Sequence, residues 1–383
     1  MTASNGGDGR LESALRSSLR LLREKWGLRG RGRLLEGNEG TQAAEADEEK
    51  EPSALEALPI DMKLYIMSFL APKDLSYLGS TSRYWRQTVQ DPLLWRYFLI
   101  RDLPSWHSID WKSLPDAKIF NRSFAELHDS SPRDYMEVYK KCCSWRRRCL
   151  NSSWPTYRAM TSFLQSLITQ AEPRFAMFGP GLEDLDESLV HNMMTRPEIL
   201  PLAGIPSRQI HGIGSGVTFY FTNQQKFNIL TLYSKTSKER RRAREDNSNL
   251  VNKIFCEDHG PDGTTQYKLI EHVKNMCSHV DGFIYVADAE AHKMFFAGHR
   301  RQTEYAQMAA MLDPALGPPD RPLLIFSCIS SPGIERIPCV YMAHQLQLDL
   351  LSQPWMIQDT DAATLTGLLD GIEWLLEECE HKK

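Results

Sequence analysis

The sequence predicts a chain in two parts, a helical N-terminal part followed by an α/β domain whose sheet is mostly parallel and flanked by helices. Closely spaced helix signals between residues 58 and 98 predict the first part, and residues 99–170 continue it with helix and loop patterns. From residue 171 onward strand and helix patterns alternate, which is typical of a sheet that is parallel at its centre. The chain has 383 residues, 42% of them hydrophobic, enough for two or three compact units.

Composition excludes several function classes. A net charge of −4 argues against nucleic-acid binding driven by the charge of the whole protein, and no apolar run reaches the roughly 18 residues of a membrane span. The first residues lack the pattern of a signal peptide, and the eight cysteines form no CxxC pair. We therefore expect a cytoplasmic protein, with the nucleus as the alternative. We expect no metal, because His272, Cys277 and His279 lack a second ligand pair at a suitable distance.

Residues 1–57 are expected to be mostly disordered, with one short amphipathic helix at about residues 11–26. One stripe of that helix is apolar, and arginines occupy the other face. The stripe consists of Leu11, Leu15, Leu19, Leu22 and Trp26. Such a helix needs a partner surface, which could be a second copy of the chain, its own folded body or an anionic membrane. We favour self-association or docking on the same chain over the membrane.

Residues 58–98 predict three short helices. Asp61 is a candidate N-terminal cap of the first helix, and Pro72 ends that helix. Asp74 opens the second helix, and the Asp91-Pro92 pair opens the third. So short a segment cannot bury all of its large apolar side chains on itself, so some of this surface should contact a partner.

The order of these residues resembles the F-box. LPxD, an LxIxxFL run, DL and a closing tryptophan follow one another without a gap. The resemblance implies an interface with a Skp-type adaptor, which bridges to a cullin and its RING subunit. The residues that carry the motif are Leu58, Pro59, Leu64, Ile66, Phe69, Leu70, Leu75, Leu78, Trp85 and Trp95. The sequence does not separate those that contact the adaptor from those that form the motif's own core.

Residues 99–170 are interpreted as a helical linker, and residues 171–383 as the α/β domain. Six segments of the domain read as strands, and the second and third read as an antiparallel hairpin at the edge of the sheet. These segments are 174–178, 216–221, 226–233, 282–288, 322–329 and 354–360.

The first strand runs into a glycine turn, "RFAMFGPGLEDLDESL", that raises the question of a phosphate loop. Such a loop needs a second glycine, a lysine and a hydroxyl at fixed spacing, so that backbone N–H groups and the lysine can hold phosphates. Counting from Gly179, those positions hold Asp184, Leu185 and Asp186. Carboxylates repel a nucleotide's phosphates, while they suit the first turn of a helix.

The rest of the domain resembles a small GTPase of the Arf/Ras type. "DGFIYVADAE" and "RPLLIFSCISS" resemble the fourth and fifth strands, and the tail resembles the last strand and helix of the Arf branch, with a core stripe at Leu365, Leu368, Leu369, Ile372 and Leu376. The guanine-reading Asn-Lys-x-Asp is replaced by residues 328–331, and no Asp-x-x-Gly follows the hairpin. The sequence thus predicts a GTPase-like fold without the chemistry.

An F-box joined to an atypical GTPase-like domain implies a substrate receptor of an SCF ubiquitin ligase with no catalytic residues and no cofactor. The resemblance further implies homodimerisation and substrates of the telomere-repeat-binding-factor and D-type cyclin kind. We hypothesise that a substrate segment adds to the hairpin strand at Val217, Thr218, Phe219, Tyr220 and Phe221, although a loop of the chain itself could cover that edge.

Two alternative functions remain at this point. One is a genuine nucleotide-binding protein of the GTPase family. The other is a nuclear nucleic-acid-binding adaptor that uses the basic run "KTSKERRRAR", which more simply opens a solvated helix.

Overall fold

The structure is a computed structural model that describes residues 54–116, 135–143, 172–204, 214–221, 225–235, 252–259, 265–292 and 298–380. The described residues form two compact units. One unit contains residues 54–102 and 135–140, and the other contains residues 103–116, 141–143 and the described residues from 172 onward. Residues 103–116, predicted to be part of a linker, therefore belong to the second unit.

The first unit is helical. Its helices are α1 (Ile60–Ser68), α2 (Pro72–Thr81), α3 (Arg83–Val89), α4 (Pro92–Asp102) and most of α5 (Tyr135–Cys142). The second predicted helix is in fact two, because Ser82 adopts an extended backbone conformation and its hydroxyl accepts a hydrogen bond from the N–H of Trp85. The prediction for Asp61 is also wrong, since Pro59 is the N-cap and Asp61 lies in the first turn. Asp91 does open α4, where its carboxylate accepts the N–H of Leu93.

A compact apolar core holds these helices together. Its buried side chains include Leu64, Leu75, Trp85, Trp95 and Phe98. Trp95 satisfies its buried indole N–H by donating to the carbonyl of Val89, at 2.6 Å. The tryptophans of the motif are therefore internal.

The second unit is built on one eight-stranded sheet. In chain order its strands are β1 (Ser108–Asp110), β2 (Arg174–Phe178), β3 (Leu202–Gly204), β4 (Gly214–Tyr220), β5 (Lys226–Leu232), β8 (Gly282–Asp288), β9 (Leu323–Ile329) and β10 (Trp355–Asp361). Within the sheet they lie in the order β1-β10-β9-β8-β2-β5-β4-β3. The five strands from β10 to β5 are parallel, and β4, β3 and β1 are antiparallel to their neighbours.

The six predicted strands are all present, in the order of a small-GTPase-like sheet. Strands β8, β9 and β10 are buried along their whole length. The largely apolar sequences of β8 and β9 indicate this, whereas only the first three residues of β10 are apolar and its last four are polar or charged. Four strands were not predicted: β1 and β3, each of three residues, and a separate hairpin of β6 (Phe255–His259) and β7 (Thr265–Leu269). A strand of three residues, such as β1 or β3, carries no alternating pattern long enough to recognise.

Helices cover both faces of the sheet. Short helices α6 (Gly181–Asp184) and α7 (Leu189–Thr195) follow β2, then α8 (Glu271–Cys277), α9 (Gly298–Met311), α10 (Cys339–Gln345) and the final helix α11 (Leu368–Glu380). The predicted stripe of the last helix needs two corrections. Leu365 is buried in the turn before the helix, and Leu369 is 37% exposed while Leu375 takes its place in the core.

The turn between β10 and α11 depends on a glycine. Gly367 has a φ of +80°, and a Cβ there would lie 2.1 Å from the carbonyl oxygen of Asp359. We expect Gly367→Ala to lower the free energy of unfolding by about 3 kcal/mol, because strain and a backbone clash add. Gly333→Ala is the matched control, since its φ is +91° with nothing within 4 Å, and should cost only about 1 kcal/mol. Equal losses in urea unfolding would show that the close approach to Asp359 does not matter.

Burial also predicts how the cysteines react. The Cys277 thiol is buried beside Met311, and burial raises its pKa to about 12, whereas Cys256 is exposed. At pH 8 only about 10⁻⁴ of the Cys277 thiol is then thiolate, the reactive form. We expect iodoacetamide to alkylate Cys256 at least about 1000-fold faster than Cys277, because an ordinary exposed thiol has a far larger thiolate fraction at this pH. Peptide mass spectrometry against time measures this, with denatured protein as the control in which both react; similar native rates would contradict it.

Candidate functional site

The first candidate site is an exposed apolar face on the helical unit. Phe69 is 70% exposed, Tyr77 61%, Met62 47% and Ile66 39%, although all four are large and apolar in character. Met62, Ile66 and Phe69 are spaced by four and then three residues, which places them on one side of α1; Phe69 is the C-cap of that helix. We call these four residues the exposed face. Three exposed apolar side chains on one side of a helix, with Tyr77 exposed on the next helix, indicate an interaction surface rather than a core.

The structure divides the ten motif residues by burial. Four are core residues, namely Leu64, Leu75, Trp85 and Trp95. Three are half-buried, namely Leu58, Leu70 and Leu78, and three are exposed, namely Pro59, Ile66 and Phe69. Met62 and Tyr77 were missed, and the spacing of Met62 to Ile66 and Phe69 is the signal that could have found the first.

A buried lysine fixes the segment that leads into this face. The Lys63 ammonium donates to the carbonyl of Glu56 at 2.6 Å and to the Tyr84 hydroxyl, and it lies 4.9 Å from the centre of the Tyr84 ring. Because Lys63 is only 6% exposed, these contacts replace the water that its charge would otherwise need. They hold the turn before α1, and with it Leu58 and Pro59, against α3.

The second candidate site is the carboxyl end of the parallel strands, where α/β sheets usually bind ligands. The glycine turn after β2 lies at this end. A Cβ on Gly179, whose φ is +124°, would lie 2.5 Å from the carbonyl oxygen of Val286, and one on Gly181 would lie 2.7 Å from the Val286 Cγ1. Close packing of the turn on β8 therefore accounts for both glycines without a phosphate.

Three residues stand where a phosphate loop has its second glycine, its lysine and its hydroxyl, and of these one is buried and two are exposed. Leu185, at the lysine position, is 3% exposed and belongs to the core beneath the sheet. Asp184 and Asp186, which flank it, are exposed. The Glu183 carboxylate accepts from the hydroxyl of Ser234 at 2.8 Å and also from its N–H, which ties the turn to the chain after β5.

Buried carboxylates belonging to the chain itself occupy the backbone donors at this end. Asp288 accepts the N–H of Glu290, at 3.1 Å, and the Glu290 carboxylate accepts the N–H and the hydroxyl of Ser330, at 3.0 and 2.6 Å. Asp361 accepts the N–H groups of Ala363 and Thr364, at 3.0 and 3.3 Å. Since phosphates would compete for such donors, the arrangement disfavours an anionic ligand.

A fourth buried acid, Asp359, is paired with an arginine. The Arg336 guanidinium lies 3.1 Å from the Asp359 carboxylate and donates to the carbonyls of Ser327 and Thr360. Burial raises the pKa of Asp359, and Arg336 opposes that rise. Cys328, which stands where a GTPase has its guanine-reading asparagine, is fully buried, and burial raises the pKa of its thiol.

The hypothesis of strand addition at β4 rests on an edge that the structure does not leave open. Strand β3 pairs with β4 through Leu202 and Phe219 and through Gly204 and Thr218, and Tyr220 donates its N–H to the carbonyl of Pro201. The expectation that β4 is an edge strand is therefore wrong for residues 218–220, because a segment of the chain itself covers them. This was the alternative stated above.

Side chains alternate between the two sides of the sheet along β4. Val217 and Phe219 are buried in the core, and Phe221 packs against it, while Thr218 and Tyr220 are half-buried on the other side. The side chains of Val217 and Phe219 are thus internal.

Several other predictions fall outside the described residues. These include the amphipathic stripe within residues 1–57, nearly all of the basic run after Tyr233, and most of the predicted linker. Within the described ranges, no three His, Cys, Asp or Glu side chains are grouped so that they could hold a metal ion. No helix in the same ranges is long and apolar enough to cross a membrane.

Comparison with known proteins supports the resemblance of residues 58–98 to the F-box. A family model described as F-box-like matches residues 55–101. F-box only protein 4 of Mus musculus is 53% identical over 377 residues, 98% of this chain and 95% of that protein. The protein of the same name from Bos taurus is 54% identical over 98% of this chain and 94% of its own length, and that from Homo sapiens is 56% identical over 90% and 88%.

A small GTPase is among the solved structures that are similar to this chain. It is the Arl6 BBS3 small GTPase from Trypanosoma brucei with bound GppNp, at 12% identity and a TM-score of 0.32, covering 56% of this chain and 100% of that one. The strand order given above, rather than this similarity, identifies the fold.

Proposed function

Because the chain belongs to the F-box only protein 4 family, we propose that it is a substrate-recognition subunit of an SCF ubiquitin ligase whose Skp-type adaptor binds the exposed face. The adaptor would connect the chain to a cullin and its RING subunit. The chain would bring a protein substrate to that assembly for ubiquitination and degradation.

The exposed face is the observation that carries the proposal. Phe69 and Ile66 are 70% and 39% exposed, while Leu75 and Trp95 of the same helical unit are 0% and 3% exposed. Exposure of Phe69 to water does not stabilise the helical unit by itself, since burying such a side chain is worth about 1.5–3 kcal/mol. An apolar groove on an adaptor would gain that free energy, and Pro59, Met62 and Tyr77 would extend the contact.

The proposed mechanism requires no chemistry from this chain. A receptor raises the effective concentration of substrate lysines near a ubiquitin-conjugating enzyme that other subunits bring. The sheet unit would act as a rigid scaffold for substrate binding, with no nucleotide, because Leu185 stands where a phosphate loop has its lysine and buried carboxylates occupy backbone donors at the carboxyl end of the sheet.

The finer parts of the role are proposed from family resemblance alone. Proteins of the telomere-repeat-binding-factor and D-type cyclin kind are the proposed substrates. The stripe of Leu11, Leu15, Leu19, Leu22 and Trp26 is the proposed dimer contact. The cytoplasm, and also the nucleus, are the proposed compartments.

Calorimetric titration of the full chain tests both halves of the proposal. We expect a purified Skp-type adaptor to bind tightly and in a fixed ratio. We expect GTP with magnesium, and GDP, to give no binding tighter than millimolar. An adaptor that does not bind would refute the receptor role, and a nucleotide that binds more tightly would favour a GTPase-family function instead.

A further inference from the structure

Glu290 is a buried acid whose interactions join three segments at the carboxyl end of the sheet. The residue follows β8 and is 2% exposed. One carboxylate oxygen accepts both the N–H of Ser330, at 3.0 Å, and its hydroxyl, at 2.6 Å, just after β9. The same hydroxyl accepts the N–H of Asp186, at 3.1 Å, from the turn after β2. Two neighbouring strand ends and the glycine turn therefore meet through one carboxylate.

These contacts are those that an external anion makes elsewhere. In open α/β sheets a ligand sits outside the carboxyl ends of the strands and accepts hydrogen bonds from backbone N–H groups. Here the acceptor is part of the chain. A buried carboxylate is costly unless donors surround it, and the two hydrogen bonds from Ser330 supply that compensation.

The group does not form a hydrolytic triad. His292 lies 3.6 Å from the other Glu290 oxygen and is 64% exposed, so the carboxylate stands between Ser330 and the histidine. A general base would have to contact the hydroxyl directly, and Ser330 is only 2% exposed, out of reach of a substrate.

We propose that the Glu290 carboxylate is a built-in anion that holds the ends of β8 and β9 and the glycine turn together in place of an external ligand. Glu290 is a positioning residue, and this end of the sheet folds without nucleotide because of it. The proposal concerns the sheet unit, so its test is independent of adaptor binding and of the proposed receptor role.

Chemical rescue tests the proposal on the full chain. Glu290→Ala leaves the Ser330 N–H and hydroxyl buried without their acceptor, and we expect its Tm to fall by roughly 5 °C or more. Acetate at tens of millimolar should enter the space vacated by the side chain and restore a large part of the lost Tm. Chloride at the same ionic strength should not.

The matched control is Leu375→Ala, which removes a buried apolar side chain of the same unit without exposing a donor. Its Tm should fall and should not respond to acetate. Acetate that raises both variants equally, or neither, would overturn the proposal, as would a Glu290→Ala chain with an unchanged Tm.

A second comparison applies if Glu290→Ala does not fold. Glu290→Gln keeps one oxygen acceptor, so it should fold with a smaller loss of Tm. Combining it with Ser330→Ala should then lower Tm by clearly less than the sum of the two single losses, because the two side chains act as a pair. Full additivity would overturn the proposal.

Discussion

A chain carrying Ile66→Asp and Phe69→Asp should bind the Skp-type adaptor at least about 100-fold more weakly than the unchanged chain while remaining folded. Both side chains are exposed, at 39% and 70%, so the unbound unit loses little when they change. In the complex each aspartate would place an unpaired charge in an apolar contact, and one buried anchor residue is commonly worth 2 kcal/mol or more. Calorimetric titration measures the loss, and circular dichroism checks the fold.

Two variants control this prediction. Leu369→Asp adds the same charge at a leucine of the sheet unit that is 37% exposed, and it should leave adaptor binding unchanged. Leu75→Asp places the charge in the core, where Leu75 is 0% exposed, and should unfold the helical unit itself. Undiminished binding by the Ile66 and Phe69 variant would move the adaptor contact away from the exposed face.

Rebuilding a phosphate-loop motif by Asp184→Gly, Leu185→Lys and Asp186→Ser should destabilise the protein without creating a nucleotide site. Leu185 is 3% exposed among core side chains, so a lysine there must bury a charge or leave the core. Either outcome should lower the free energy of unfolding by about 4 kcal/mol. Urea unfolding measures the loss, and titration with GTP and magnesium should show no binding.

The flanking changes alone provide the control. Asp184→Gly with Asp186→Ser alters only exposed side chains and should cost less than about 1 kcal/mol. If the triple variant instead binds GTP with micromolar affinity, these three residues alone prevent nucleotide binding. The proposal that the chain's own buried carboxylates exclude a nucleotide from this end of the sheet would then be wrong.

The long apolar runs and the turn signals predicted most of the fold. Strands β8 and β9 were recognisable because each is buried on both faces and reads as a largely apolar run. Strands β1 and β3 were not, since three residues carry no period, and β1 also depends on pairing with β10, which is distant in the chain. The expectation of an open edge at β4 was wrong because β3, which pairs with that edge, was not predicted.

The sequence predicted which residues belong to the candidate site, but not which of them are exposed and which are buried. The motif predicted Phe69 and Trp95 together, and burial separates an exposed side chain from an internal one. Counting from Gly179 showed that Leu185 replaces a lysine, yet only packing shows that it is a core residue. The pairing of Glu290 with Ser330 lay beyond sequence reasoning, since 40 residues separate them.

Affinity purification from cells tests whether the exposed face recruits the ligase, with the unchanged chain compared against the Ile66→Asp and Phe69→Asp variant. We expect the variant to lose the adaptor, the cullin and the RING subunit together while the other captured proteins remain. If the variant still retains the adaptor and the cullin at the level of the unchanged chain, the exposed face is not the adaptor contact and the proposed receptor mechanism fails.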